Sequence, residues 1–352
     1  MVYCWLCPTP LSAGYFAEHL WARAMALFSS MWGIATLLGP LVGGVFAEFS
    51  LWRGAFWALV PASFLLSVAA ALVLPKALDR REANARVPIA QLALLGVAVL
   101  AASWSSLGLG PIATVTSMII TLLLILVLVV REGRVSKRLL PSGTFSIGSR
   151  LGSLYAASGL LAVTVTCVEI FLPLFLQELH GYSPLGAGLL AAVMSAGWTI
   201  AAIFSSGLSP QGQGRALAAG PALSVAAVLV LAPLVAASSV NGGVLSLILL
   251  AGILILAGAG VGLAYPHLAA RVLKNSPPGE EDTAASGIMT VQLCATAFGG
   301  AIAGLTVNVA ASGTAGEVNF SNAAFWLFLV VAIAPAVAFL ISVRLRRSSV
   351  RG

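Results

Sequence analysis

The chain runs to 352 residues, of which 60% are hydrophobic and only 8% charged, with a mean hydropathy of +1.04 and a net charge of +7. Soluble domains carry about three times that density of charge, so a water-soluble globule is excluded and an all-α polytopic membrane protein is expected. The excess of basic residues is spread between apolar stretches, where it sets topology and draws anionic headgroups of membrane lipids; nucleic acid is not expected as a partner.

Residues 1–22 are mildly apolar but are broken by Pro8, Pro10 and Gly14 and carry Glu18 and His19. They also lack a basic segment followed by an apolar core, so neither a span nor a signal peptide is expected there. Cys4 and Cys7 form a C-x-x-C, yet no second pair or histidine cluster accompanies them, and with Cys167 and Cys294 they read as incidental thiols. No metal and no cofactor are expected.

A helix needs about 20 apolar residues to cross a hydrocarbon layer of about 30 Å. Uncharged intervals of that length follow in order between Arg23 and Glu48, then Arg53 and Lys76. Arg86 to Arg131 holds two spans, broken at Gly108-Leu109-Gly110-Pro111, where proline removes a donor and glycine frees the turn. Arg150 to Glu178 and Glu178 to Arg215 hold one each. Arg215 to Arg271 holds two, parted by the polar turn around Asn241, and single spans fill Asp282 to Glu317 and Glu317 to Arg344. About ten transmembrane helices result. With the N-terminus placed in the cytoplasm, every lysine and arginine except Arg53 falls on the inner side, as the positive-inside rule requires. Both termini of this multi-pass chain are then cytoplasmic, and the bias suits a bacterial cytoplasmic (cell) membrane.

Of the acidic residues, Glu169 alone falls well inside a span; the others lie in loops, at span ends or in the N-terminal segment. A charged group costs at least about 2.5 kcal/mol at the bilayer centre and persists where it faces a cavity or a partner, often as a proton relay. Glu169 is therefore the proton-coupling candidate, and its bland alternative is a structural carboxylate, bonded to Thr166 one turn back or snorkelling outward from a position nine residues short of Glu178. Gln292 and Asn308 are deep polar residues that either line a pathway or bond across helices, and His267 is a weaker candidate of the same kind. Trp32, Trp104 and Trp198 offer rings for stacking on a lipophilic compound or anchors at the interface, Trp198 being the pathway candidate. No catalytic constellation is present: there is no His-Glu-x-x-His, paired carboxylate site or phosphate loop, so no enzyme is expected.

The first span contains Ala35 to Gly44, with Gly39-Pro40 and Gly43-Gly44, small residues at a spacing that lets helices approach closely and a proline that bends them. This run resembles the antiporter motif of proton-coupled drug exporters of the major facilitator superfamily, with Ala35 standing where the family usually has glycine. Trp52-Arg53-Gly54-Ala55-Phe56-Trp57, followed by Pro61, is similar to the run that opens the next helix in the fourteen-helix drug:proton antiporter branch. Leu172-Pro173, Gly181-Tyr182-Ser183-Pro184 and the glycines from Gly258 to Pro266 agree.

The resemblance implies that this chain starts near the end of the fourth helix of that plan and lacks the first four. Residues 23–76 would be the remainder of the N-terminal bundle, 87–131 two linker helices and 150–346 a C-terminal six-helix bundle. It further implies export of a lipophilic small-molecule substrate against protons by alternating access, with Ala35, Gly39, Pro40, Gly43 and Gly44 as packing positions. The segment Ser206 to Arg215 would be the second-half counterpart of a gating loop, without its usual acidic residue. The alternatives are an inactive N-truncated remnant of such a transporter and a ten-helix metabolite exporter.

Overall fold

The computed structural model describes residues 35, 38–73, 88–107, 110–135, 138–146, 148–237, 243–312 and 318–348. The N-terminal segment 1–22, Cys4, Cys7, Trp32 and the turns at Gly108 and Asn241 lie outside the described residues. The named elements are all α-helices. Two are short, α1 (Leu38–Glu48) and α3 (Ile89–Ser105). The others are α2 (Trp52–Val73), α4 (Pro111–Arg134), α5 (Arg150–His180), α6 (Pro184–Ser206), α7 (Pro210–Ala236), α8 (Val244–Lys274), α9 (Glu281–Ala311), α10 (Phe320–Val331) and α11 (Ile333–Ser348). The last two run on as one span, Phe320–Arg346, so eight helices among the described residues are long and apolar enough to cross a membrane. Together with α1 and α3, these match the ten uncharged intervals one for one, because charge is what ends each interval.

Local chemistry sets the boundaries. Ser149, Ser183 and Ser209 each accept a hydrogen bond from the backbone N–H three residues on, and proline at the first position of α6 and α7 gives up a donor that would have no partner there. α5 ends on Gly181, at φ 65°, with the Gly181 N–H bonded to Gln177 O and the Tyr182 N–H to Leu176 O. That is a left-handed cap which glycine adopts without strain. The supposed gating loop is much shorter than the sequence suggests: only Gly207–Ser209 lie between α6 and α7, because the Ser209 cap with Pro210 starts the next helix, and Arg215 belongs to α7.

Helices α5 to α11 pack around one apolar core that includes Leu161, Leu172, Phe175, Met194, Leu231, Leu254 and Phe328, all fully buried. Lipid tails are as apolar as these side chains, so close backbone approach has to hold the bundle together. α8 is built for that. Its Gly258 and Gly262 rest against the Met194 and Trp198 backbone of α6, while Gly260 rests against Gly220 and Ser224 of α7. Residues two apart on a helix point about 200° apart, so this one glycine-rich run serves two neighbours. The Ser224 hydroxyl adds a hydrogen bond to Ala257 O at 3.1 Å. α3 pairs with α4 and leans on α9. α2 is exposed along its length, with Leu66 and Trp57 each 71% exposed.

Candidate functional site

Glu169 lies in the middle of α5 and is half-buried. Pro173, four residues on, has no N–H, so the Glu169 carbonyl loses its helical partner and the ladder is weakest beside the one mid-span carboxyl. The alternative tie to Thr166 is absent. The carboxylate Oε1 instead accepts a hydrogen bond from Ser195 Oγ of α6 at 2.5 Å, and Ser195 is 2% exposed. Thr166 faces away toward α9, where its hydroxyl lies 3.3 Å from that of Thr296.

Three residues beyond Ser195 on α6, the Trp198 ring meets Tyr265 of α8 edge to face, with centroids 5.8 Å apart and an interplanar angle of 60°. The Tyr265 hydroxyl donates to Gln292 Oε1 of α9 at 2.8 Å, and Thr296 sits one turn farther along α9. Four membrane-length helices thus present a continuous strip: Glu169 and Thr166, Ser195 and Trp198, Tyr265, then Gln292 and Thr296. All but Ser195 are half-buried. The strip holds a carboxyl group that can gain or lose a proton, an amide with free donor capacity, and two rings whose faces suit apolar or cationic groups.

The other candidates lie elsewhere. Asn308 is sixteen residues beyond Gln292 on α9, about 24 Å along the axis, and its amide donates to Ser106 O at the end of α3. It fastens the linker hairpin and is not part of the strip. His267 is buried, with Nε2 2.6 Å from Ser205 Oγ. Because Ser205 spends its only proton on Leu263 O at 2.8 Å, the histidine must donate, which makes it a tie between α6 and α8. Trp104 is 57% exposed on the outside of α3.

The Ala35–Gly44 run uses one of its two faces. A Cβ on Gly188 of α6 would fall 2.6 Å from Pro40 O, and one on Gly44 would fall 3.0 Å from Leu185 Cα. Glu48 Oε2 accepts from the Leu185 N–H at 3.1 Å. Gly39 and Gly43 meet no described atom within 4 Å, and Ala35 is exposed. The contact between α1 and α6 therefore runs through Pro40 and Gly44.

Ser195, Tyr265 and Thr296 were not singled out from sequence, and Thr166 was named only as a partner for Glu169. Ser195 and Trp198 do share one helix face by their spacing, and Tyr265 directly precedes Pro266; either signal points inward. Among the described residues no group of three or more histidine, cysteine or acidic side chains could hold a metal ion.

A carboxyl, an amide and two rings in edge-to-face contact are shared between four membrane-length helices, and the class of protein to which such a polytopic bundle belongs is that of the membrane transporters. The chain belongs to the Major Facilitator Superfamily, whose sequence profile matches residues 4–304; members of that family are transporters, not enzymes. It is 34% identical over 333 residues to the "Probable multidrug-efflux transporter Rv1634" of Mycobacterium tuberculosis, spanning 91% of this chain and 68% of that protein. The multidrug efflux pump SdrM of Staphylococcus aureus is 25% identical over 177 residues, 50% of this chain and 39% of the pump. The tetracenomycin C resistance and export protein of Streptomyces glaucescens is 25% identical over 199 residues, 54% of this chain and 36% of that protein.

Proposed function

We propose that these helices serve a proton-coupled exporter of lipophilic small molecules, a drug:proton antiporter of the fourteen-helix kind, in the cell membrane with both termini cytoplasmic. The observation that carries this reading is the Glu169–Ser195 hydrogen bond in the middle of two spans, beside the Trp198–Tyr265–Gln292 group. A protonated carboxyl is neutral and can stay in an apolar site. A carboxylate must keep Ser195, water or a cation beside it. Proton loss to the cytoplasm and cation capture from the cytoplasm are then coupled at one group, the reverse exchange occurs on the outer side, and rocking of the bundles changes which side reaches it. Residues 23–76 supply the remainder of the N-terminal bundle, 87–131 the linker hairpin and 150–346 the C-terminal bundle. The contact of Pro40 and Gly44 with Gly188 is where the rocking halves meet.

Everted membrane vesicles supplied with external ethidium test the proposal. Uptake should collapse when a protonophore removes the gradient and should be lost in Glu169→Gln, which keeps the shape and removes the titration. Uptake by Glu169→Gln at the wild-type rate and pH dependence would overturn it. An inactive remnant predicts no uptake by any variant, and a ten-helix metabolite exporter predicts uptake of polar metabolites but not of ethidium.

A further inference from the structure

At the basic end of the bundle a cavity of about 430 Å³ lies between the linker hairpin and helices α5 and α9. Val163, the wall residue of α5 nearest Glu169 in sequence, precedes it by about 9 Å along the helix. The cavity falls within the usual range for small-molecule sites. Its walls are apolar, from Leu95 and Leu128 of the hairpin to Phe145, Leu160 and Val291, and Glu132 is the one charged residue among them.

Glu132 ends α4 and is 3% exposed. Oε1 is fully used: it accepts hydrogen bonds from the backbone N–H of both Leu139 and Leu140, the second at 2.9 Å. Those bonds fold the chain back beneath the hairpin, and Glu280 Oε2 fixes the same turn by accepting from the Ser142 N–H at 2.6 Å. Glu132 Oε2 is buried and has no partner among the described residues. A carboxylate oxygen buried without a donor is costly, and the residue that carries it lines the apolar chamber. Glu132 also lines a second cavity of about 410 Å³, together with Arg134 and Arg138; Arg138 Nε is already bonded to Val135 O at 3.1 Å.

We propose that this chamber is a second ligand site, separate from the Glu169 strip, that takes a lipophilic amine: hydrocarbon fills the apolar chamber and one ammonium N–H donates to Glu132 Oε2. The charge complementarity is specific, since a fatty acid of equal length would set two carboxylates together. The site stands whether or not Glu169 couples protons, because it shares no residue with the strip.

Cys294 lines the chamber and is half-buried, which supplies a reporter. With Cys4, Cys7 and Cys167 replaced by alanine, alkylation of Cys294 by N-ethylmaleimide is followed in nanodiscs at rising dodecylamine. Dodecylamine should slow alkylation, and Glu132→Gln should raise the concentration for half-protection at least about tenfold, since glutamine keeps an oxygen for Leu139 and Leu140 but removes the charge. Protection by 1-dodecanol should not change. Ala156→Leu, which fills the chamber and leaves Glu132 in place, should abolish protection by both. Equal protection by dodecylamine in Glu132→Gln, or dodecanoate protecting as well as dodecylamine, would overturn the assignment, the latter pointing to Arg134 and Arg138 instead.

Discussion

Replacing Gly262 of α8 by alanine adds one methyl group where there is no room for it. That Cβ would run into the Trp198 carbonyl oxygen, and the Trp198 carbonyl carbon and Ala202 nitrogen would both be 3.0 Å away. Every obstructing atom is backbone, so no rotamer change relieves the clash, and α6 must move off α8. Overpacking of this kind costs about 1–3 kcal/mol, against a gain of about 0.5–1 kcal/mol from removing glycine's backbone freedom in a helix. Gly252 of the same helix is the internal control, with no described atom within 4 Å of its added Cβ; Gly252→Ala should keep the gain alone. The gain is common to both, so the two variants should differ by the overpacking cost, about 1–3 kcal/mol, with Gly262→Ala the weaker. Heating the detergent-solubilised proteins and following the monodisperse fraction by size exclusion reads the order directly. Gly262→Ala surviving as well as Gly252→Ala would refute the claim that backbone contact through the α8 glycines holds the bundle.

Further outcomes follow from the strip and the α1–α6 contact. Ser195→Ala deletes the 2.5 Å bond to Glu169 and should lower stability by about 1–3 kcal/mol while reducing ethidium flux, whereas Ser195→Thr, which keeps the hydroxyl, should recover flux; the paired melting and vesicle assays check both. Tyr265→Phe keeps the ring against Trp198 but frees Gln292, so ligand affinity should fall about tenfold with little change in melting, as a fluorescence titration with ethidium would register. Gly188→Val drives a side chain into Pro40 and should leave the protein folded but slow in turnover, with initial vesicle uptake falling more than equilibrium ethidium binding.

The charges made the spans legible: each uncharged interval became a helix because a lysine, arginine or acidic residue is expensive in hydrocarbon. Glu169 could be found the same way. Its partner could not, because Thr166 and Ser195 are equally plausible hydroxyls in a sequence, and only the packing of α6 on α5 brings Ser195 forward. Gln292 and Asn308 both look like buried amides on α9, yet one bonds Tyr265 and the other the end of α3, since linker and bundle neighbours alternate around that helix. Glu132 was legible only as a span end; its burial depends on the chain turning back at Leu139 and Leu140. The glycines of the Ala35–Gly44 run show the face a helix offers, but which glycines are used depends on where Gly188 stands.

The most direct test of the account is to count protons released when ethidium binds to the purified protein in weakly buffered detergent, with a pH-sensitive dye as the readout. The account predicts release by the wild-type protein and none by Glu169→Gln, although that variant still binds through Trp198 and Tyr265. Equal release from both would contradict the assignment of the coupling proton to Glu169.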